Sequence, residues 1–411
     1  MNTNTRGHLS VALRNVAIGL AALLAACTAT PGTGTGGDST GNTTGIKDKS
    51  IVVGISSPES GPGAIAAGYT YGFKTYLDYR SQGTGINGYK FQSVIVDNLG
   101  NAAGGAQSMQ QLLARTPFMV LITGSSSIQG AAPVISSQGN GVVVLGLGNA
   151  DILQASGLPN TYGFFPHYTQ ECYFMADFAI KTLKAKSLAL VYEDSATGQG
   201  AAITCPTYSL THGGAAFKNF PFPPPAVSTN YTSLVASIKD TSPEACMFMG
   251  SAAEIASVKK AADAVGVTCK WIGFSPLFDP TYIDLAGASA EGTYFDAFVE
   301  PVGSDSDATK LLKTEMQKSA PTHINQFGAF GWSFAAVIAD AVERATAGGK
   351  TLTRESFTSA MNSTKTTKQL GLLYSADYTG DRYTLTRSMT VYQVQGGKFV
   401  KVLDTTSIPQ P

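Results

Sequence analysis

Along this chain, short apolar runs alternate with longer stretches in which apolar residues recur at helical spacing. "SIVVGIS", "KFQSVIVDN", "FMVLITG" and "GVVVLGLG" are β-rich runs in its first third. Helical stretches separate them, one reaching Arg80, one from Asn101 to Arg115, and one ahead of the last run. Apolar strands joined by helices of roughly ten to fifteen residues predict a parallel sheet covered on both faces. The pattern then restarts. A helix around Thr169 to Lys184 leads to "SLALVYED", a helix after Thr197, and "AAFKNFPF". Beyond a proline-rich loop at 221–225 come "TSLVASIKD", "EACMFMG", a further helix and "CKWIGFS". In that further helix Ser251 and Glu254 spell a capping box, Ala252, Ile255, Val258, Ala262 and Val265 share a face, and Gly266 ends it. The tail departs from the alternation. Asn325 to Ala347 reads as a long Ala-rich amphipathic helix, and "SMTVYQVQGGKFVKVLD" as a hairpin about Gly396-Gly397. The fold class is therefore α/β, with two lobes of similar plan and tail elements that complete them. A chain of 411 residues is also longer than one hydrophobic core usually serves.

The N-terminus does not fit this alternation. Arg6 and Arg14 precede an apolar run from Val16 to Ala26, about half the roughly 20 residues needed to cross a bilayer. A charged start, a short apolar middle and small closing residues make a secretory signal over residues 1–26. Its end, Leu24-Ala25-Ala26-Cys27, resembles the lipobox of bacterial lipoproteins, which implies cleavage before Cys27 and lipidation of its sulfur. The Thr/Gly/Ser-rich segment that follows is too polar to pack, so residues 27–49 read as lipidated cysteine and tether. The chain is formally neutral, with 28 basic and 28 acidic residues. The cut removes two arginines and no acid, so the mature chain is slightly acidic, without the basic face a nucleic acid requires.

Four cysteines remain: Cys172, Cys205, Cys246 and Cys269. In an exported protein an even count favours disulfides. Three pairings are possible. We favour 172–205 with 246–269, because Cys246 and Cys269 each open a predicted strand and such strands could be neighbours. The spacings are too wide for the usual zinc patterns and His167, His212 and His323 are scattered, so no metal is expected. "GTGTGG" at 32–37 has the dinucleotide-binding spacing but follows Pro31 with no strand before it, and "GLGNAD" at 146–151 lacks the third glycine. "GSSSI" at 124–128 misses the last glycine of a nucleophile elbow. No cofactor and no catalytic residue is expected, and a cell-envelope hydrolase is disfavoured.

"IVVGISSPESGP", "GINGYKFQSVIVDN", "LITGSSSIQGAAPVIS", "SLALVYEDSATGQG", "FMGSAAEIASVKKAADAVG" and "GASAEGTYF", in this order and spacing, resemble the type I periplasmic binding proteins of ABC importers. The likeness is to the leucine/isoleucine/valine-binding branch. It implies two lobes joined by three crossings near Phe165, Phe298 and Tyr374: residues 50–165 plus 299–374, and 166–298 plus 375–411. It also implies a ligand held between closing lobes. In open α/β sheets ligands sit beyond the carboxyl ends of strands, at helix N-termini. That rule selects Ser57 and Glu59, Ser125, Ser126 and Ser127, and Gly148 and Asn149 in the first lobe. In the second it selects Glu193, Asp194 and Thr197, Ser251, and Ser275. The serine triplet is expected to grip a ligand carboxylate with hydroxyl and free N–H groups, although Ser126 and Gln129 also spell a capping box.

One departure bears on the ligand. Amino-acid binders of the family place an acid in the loop that here reads "GFSPLFD", and this chain has Ser275 there, with Thr197 where an aromatic often closes. A buried ammonium without a counter-charge is costly. Either Glu193, Asp194 or Asp279 substitutes, or the ligand is a small carboxylate or amide without an ammonium. The expected role is a monomeric, lipid-anchored, extracytoplasmic protein delivering a small polar ligand to an ABC permease and its ATPases. A ligand sensor of the same fold is the alternative.

Overall fold

The computed structural model describes residues 41–61, 63–224, 230–367 and 369–410. The signal segment, Cys27 and the tether as far as residue 40 lie outside the described residues. The end of the stretch read as tether is packed. Ile46–Lys47 (β1) pairs antiparallel with Ile51 and Ser50, and Arg354 donates its backbone N–H to the Asn42 carbonyl at 2.8 Å. These bonds run through the backbone, which polar composition does not reveal.

β2 (Ser50–Ser57), α1 (Gly68–Arg80), β3 (Lys90–Asp97), α2 (Ala102–Leu113), β4 (Met119–Thr123), α3 (Ser125–Gln138), β5 (Val143–Leu147), α4 (Ala150–Ala155) and β6 (Thr161–Gly163) follow in order. β2 pairs in parallel with β3 on one side and β4 on the other, and β4 continues to β5 and β6. Every residue of β4 and β5 is buried, as expected for central strands covered on both faces.

The second lobe repeats the plan. α5 (Tyr168–Asp177), β7 (Ser187–Glu193), α6 (Gln199–Gly213), β8 (Ala216–Phe222), α7 (Thr232–Thr241), β9 (Ala245–Met249), α8 (Ala252–Ala264), β10 (Lys270–Gly273), α9 (Pro280–Ala286) and β11 (Tyr294–Ala297) alternate. Pro221 within β8 is tolerated because β8 is the edge of the sheet. Both favoured disulfides are present. Cys172–Cys205 ties α5 to α6, and Cys246–Cys269 ties β9 to the residue before β10, with Cα separations of 6.1 and 5.9 Å.

The chain then returns through α10 (Asp307–Ser319), α11 (Gln326–Ala345) and α12 (Arg354–Asn362), makes a short ribbon of β12 (Lys365–Thr366) and β13 (Ala376–Asp377), and ends in β14 (Ser388–Gln395) and β15 (Lys398–Ser407). β14 joins β11 antiparallel, so the hairpin completes the second sheet, in the order β15-β14-β11-β10-β9-β7-β8. α11 keeps Asp340, Glu343 and Arg344 on its open side as an amphipathic helix should, yet the other seventeen of its twenty residues are buried. It is sandwiched rather than laid on a surface. Its glycines let it meet α1 backbone to backbone, where a Cβ on Gly331 would overlap the Tyr69 carbonyl and one on Gly72 would overlap Gly328. The result is an α/β fold of two lobes, each built on its own mostly parallel sheet flanked by helices.

Candidate functional site

The carboxyl ends of β4, β5, β7, β9 and β10 converge on one cavity of about 240 Å³. Thr123, Gly124, Ser125 and Ser126 enter it from the β4–α3 turn, Leu147 and Gly148 from β5, Glu193 from β7, Gly250 and Ser251 from β9, and Phe274 from β10. The turn is built for close approach. Gly124 sits at φ +93°, a conformation that favours glycine, and a Cβ on Gly148 would come within 2.7 Å of Ile128 and 3.0 Å of the Ser125 nitrogen. The first turn of α3, whose N–H groups have no intrahelical acceptors, thus opens onto the cavity with the positive end of the helix dipole.

Six of the twelve candidate residues line this cavity: Ser125, Ser126, Gly148, Glu193, Thr197 and Ser251. Their engagement differs. Ser125 Oγ accepts the Asn149 N–H at 3.0 Å. Ser251 Oγ serves its own capping box, donating to the Glu254 carboxylate at 2.6 Å. Ser126 does not form the capping box with Gln129 that the sequence allows: Gly124 is the N-cap and supplies no side chain. Its hydroxyl has no partner among the described residues.

The other six are placed differently. Ser57 is buried and accepts the Thr70 hydroxyl at 2.6 Å, Glu59 accepts the Tyr71 hydroxyl at 2.8 Å, and Ser127 donates to the Asn101 carbonyl at 3.3 Å. Asn149 caps α4 through its side-chain oxygen and donates through Nδ2 to the Ala196 carbonyl at 3.1 Å, a bond from first lobe to second. Asp194 is held by Gln199 at 3.0 Å. The Ser275 N–H donates to Glu171 at 2.5 Å, and its hydroxyl is fully buried beneath the cavity wall formed by Phe274 and Pro276. Asp279 accepts from Thr281 and Gln326, tying α9 to α11. Of the three acids considered as counter-charge, Glu193 faces the cavity.

The sequence reading missed the apolar half of the site. Tyr69, Phe165, Tyr168 and Phe274 form an aromatic collar, with Tyr69–Phe165, Phe165–Tyr168 and Tyr168–Phe274 ring centroids 5.9, 6.4 and 5.1 Å apart. In sequence these rings look like ordinary core positions. Their one signal is that Phe165 and Tyr168 flank the first expected crossing.

Electrostatics around the cleft are dominated by buried acids. Burial raises the Glu254 carboxyl to about 7, against the Ser251 hydrogen bonds, and neighbouring Glu193 adds to the rise. Deeper, Glu171 and Asp296 are essentially inaccessible, and neither Asp296 oxygen has a hydrogen-bond donor among the described residues. Burial raises both, and the Glu171 charge holds Asp296 higher still. Two neighbouring buried carboxylates, one of them without any donor, cannot both stay ionised, so the pair retains a proton. At the first crossing His167 bridges Asp151 and Asp381, each at 2.8 Å. Burial opposes its charge, yet the two carboxylates prevail and push it up to about 9.

A family profile described as periplasmic binding protein matches residues 50–398. A Leu/Ile/Val-binding protein homolog of Brucella melitensis is 24% identical over 286 residues, covering 68% of this chain and 76% of its own. Among solved structures, a branched-chain amino acid ABC transporter protein from Thermus thermophilus with bound valine superposes with a TM-score of 0.77 at 18% identity. The match covers 88% of this chain and 97% of that one. A solute-binding protein from R. palustris in complex with benzoate gives 0.73 at 17% identity, covering 87% and 98%. The fold, the converging strand ends and the extent of the profile match agree: the chain belongs to the periplasmic binding protein family.

Proposed function

We propose that this chain is the extracytoplasmic, lipid-anchored solute-binding protein of an ABC importer, capturing a small amino-acid-like carboxylate between its lobes. The observation that carries this reading is the unengaged Ser126 hydroxyl beside the open first turn of α3, in a cavity that Glu193 and Thr197 line from the other lobe. A carboxylate there meets helix N–H groups and a free hydroxyl, and a donor group on the same molecule meets Glu193. The aromatic collar takes the apolar part. The benzoate and valine complexes of the structural relatives illustrate both ligand types, a carboxylate with and without an ammonium.

The lobes open and close by rotation at the crossings, and the closed shape is what a permease with its ATPase subunits reads. We place the third crossing at 384–387, beyond the expected Tyr374. Gly163 at the end of β6 donates to the Arg382 carbonyl at 3.0 Å and accepts the Tyr378 hydroxyl at 2.7 Å, so this segment still belongs with the first lobe. Calorimetry with amino acids and small carboxylates tests the site. Ser126→Ala weakens the best ligand by about 1–3 kcal/mol, and an unchanged affinity would remove Ser126 from the site. Cys27→Ser is expected to release the protein from the membrane fraction, and continued retention would refute the anchor.

A further inference from the structure

A second cavity, of about 630 Å³, is larger than the cleft and shares no lining residue with it. It lies where the hairpin β14–β15 meets α9, the start of α11 and the segments on either side of the Val299–Leu373 bridge. One wall is aromatic and already fixed. The Tyr374 and Tyr392 hydroxyls bond to each other at 2.5 Å. Tyr392 packs on Phe278 at 4.8 Å, and Phe399 packs on Phe278 and Phe295 at 4.5 and 5.5 Å. A guest therefore meets rings that need no reordering, which keeps the entropic cost of binding low.

The charges at its rim are unequal. Lys398 has no partner among the described residues, and Lys401 lies 5.6 Å over the Tyr374 ring with its nearest carboxylate, Asp404, at 3.9 Å. The acid in the lining, Glu300, accepts from Ser304, Ser306 and Gln369, which hold it in place as one carboxylate against two cations. The cavity thus offers stacking surface and available positive charge, within the size range of small-molecule sites. We propose that it is a second binding site, separate from the cleft, for a small anion carried on a flat apolar ring.

The test uses the purified full chain and two probes, 1-anilinonaphthalene-8-sulfonate in solution and 4-bromobenzenesulfonate soaked into crystals. Fluorescence titration is expected to give one saturable site per chain. Gly303→Trp, placed where a side chain would begin in open space, should abolish it while leaving the unfolding midpoint unchanged. Lys398→Gln with Lys401→Gln should weaken it about fivefold, as loss of exposed charge contacts does. Ser126→Trp, which fills the cleft, should leave it unchanged, so failure here is distinct from failure of the transport reading. In the crystal, the bromine anomalous peak should lie against Tyr374 and Phe399. Absence of saturable binding, binding that survives Gly303→Trp or is lost with Ser126→Trp, or a bromine peak in the cleft alone would overturn the proposal.

Discussion

Asp296→Asn probes the buried acid pair, and its effect can be worked out from the structure. Asp296 is 1% exposed, Glu171 is inaccessible, and neither Asp296 oxygen receives a hydrogen bond among the described residues. An aspartate that ionises near 3.9 in the unfolded chain holds its proton to well above that value in the fold. The folded state therefore binds more protons, and stability falls as pH rises from about 4 through the folded value, by up to about 1.4 kcal/mol per pH unit for one proton. Between pH 5 and 7 this amounts to at most about 3 kcal/mol. Asparagine carries no titrating proton, so the variant lacks that slope. The assay is denaturant unfolding at both pH values followed by tryptophan fluorescence, with Trp271 in the second sheet and Trp332 in α11 reporting on separate lobes. Taking variant minus wild type at each pH cancels the titration of Glu254 and His167. The variant should gain on the wild type from pH 5 to pH 7, by up to about 3 kcal/mol. A difference that is the same at both values would refute the shared proton.

Three further outcomes follow from the same geometry. His167→Gln removes a cation bridging two carboxylates and should cost about 2–4 kcal/mol at pH 6. Because the His167 value is raised, its contribution is complete below about 6.5 and is lost as pH rises toward 9, so the deficit should shrink by pH 9.5 in thermal melts. Glu193→Gln should weaken an amino-acid ligand at least tenfold in calorimetry while leaving a simple carboxylate such as benzoate within about twofold, as expected for losing a partly desolvated ion pair. Gly331→Ala pushes a methyl into the Tyr69 carbonyl and should destabilise by about 1–3 kcal/mol, read from the urea midpoint.

The alternation of strand and helix, the Ser251–Glu254 cap, the hairpin at Gly396-Gly397 and the pairing of adjacent-strand cysteines were legible in the chain itself, because each follows from local periodicity or from short-range turn chemistry. So was the serine triplet beyond β4, since a glycine followed by hydroxyl residues at a strand end is a local signature. Tertiary structure alone decided the rest. Whether Ser126 caps its helix or is left free depends on which residue becomes the N-cap, and that is fixed by Gly124 turning against Gly148 from the next strand. Whether Glu193 or Asp279 faces the cleft depends on contacts with α11, more than 40 residues beyond Asp279. α11 is amphipathic by its own pattern yet buried on nearly every side, because hydrophobic spacing reports one face and cannot tell how many neighbours will cover the others. The aromatic collar was hidden for the same reason. A ring that lines a cleft and one that fills a core have the same sequence signal, and they are told apart when the opposing wall is left open.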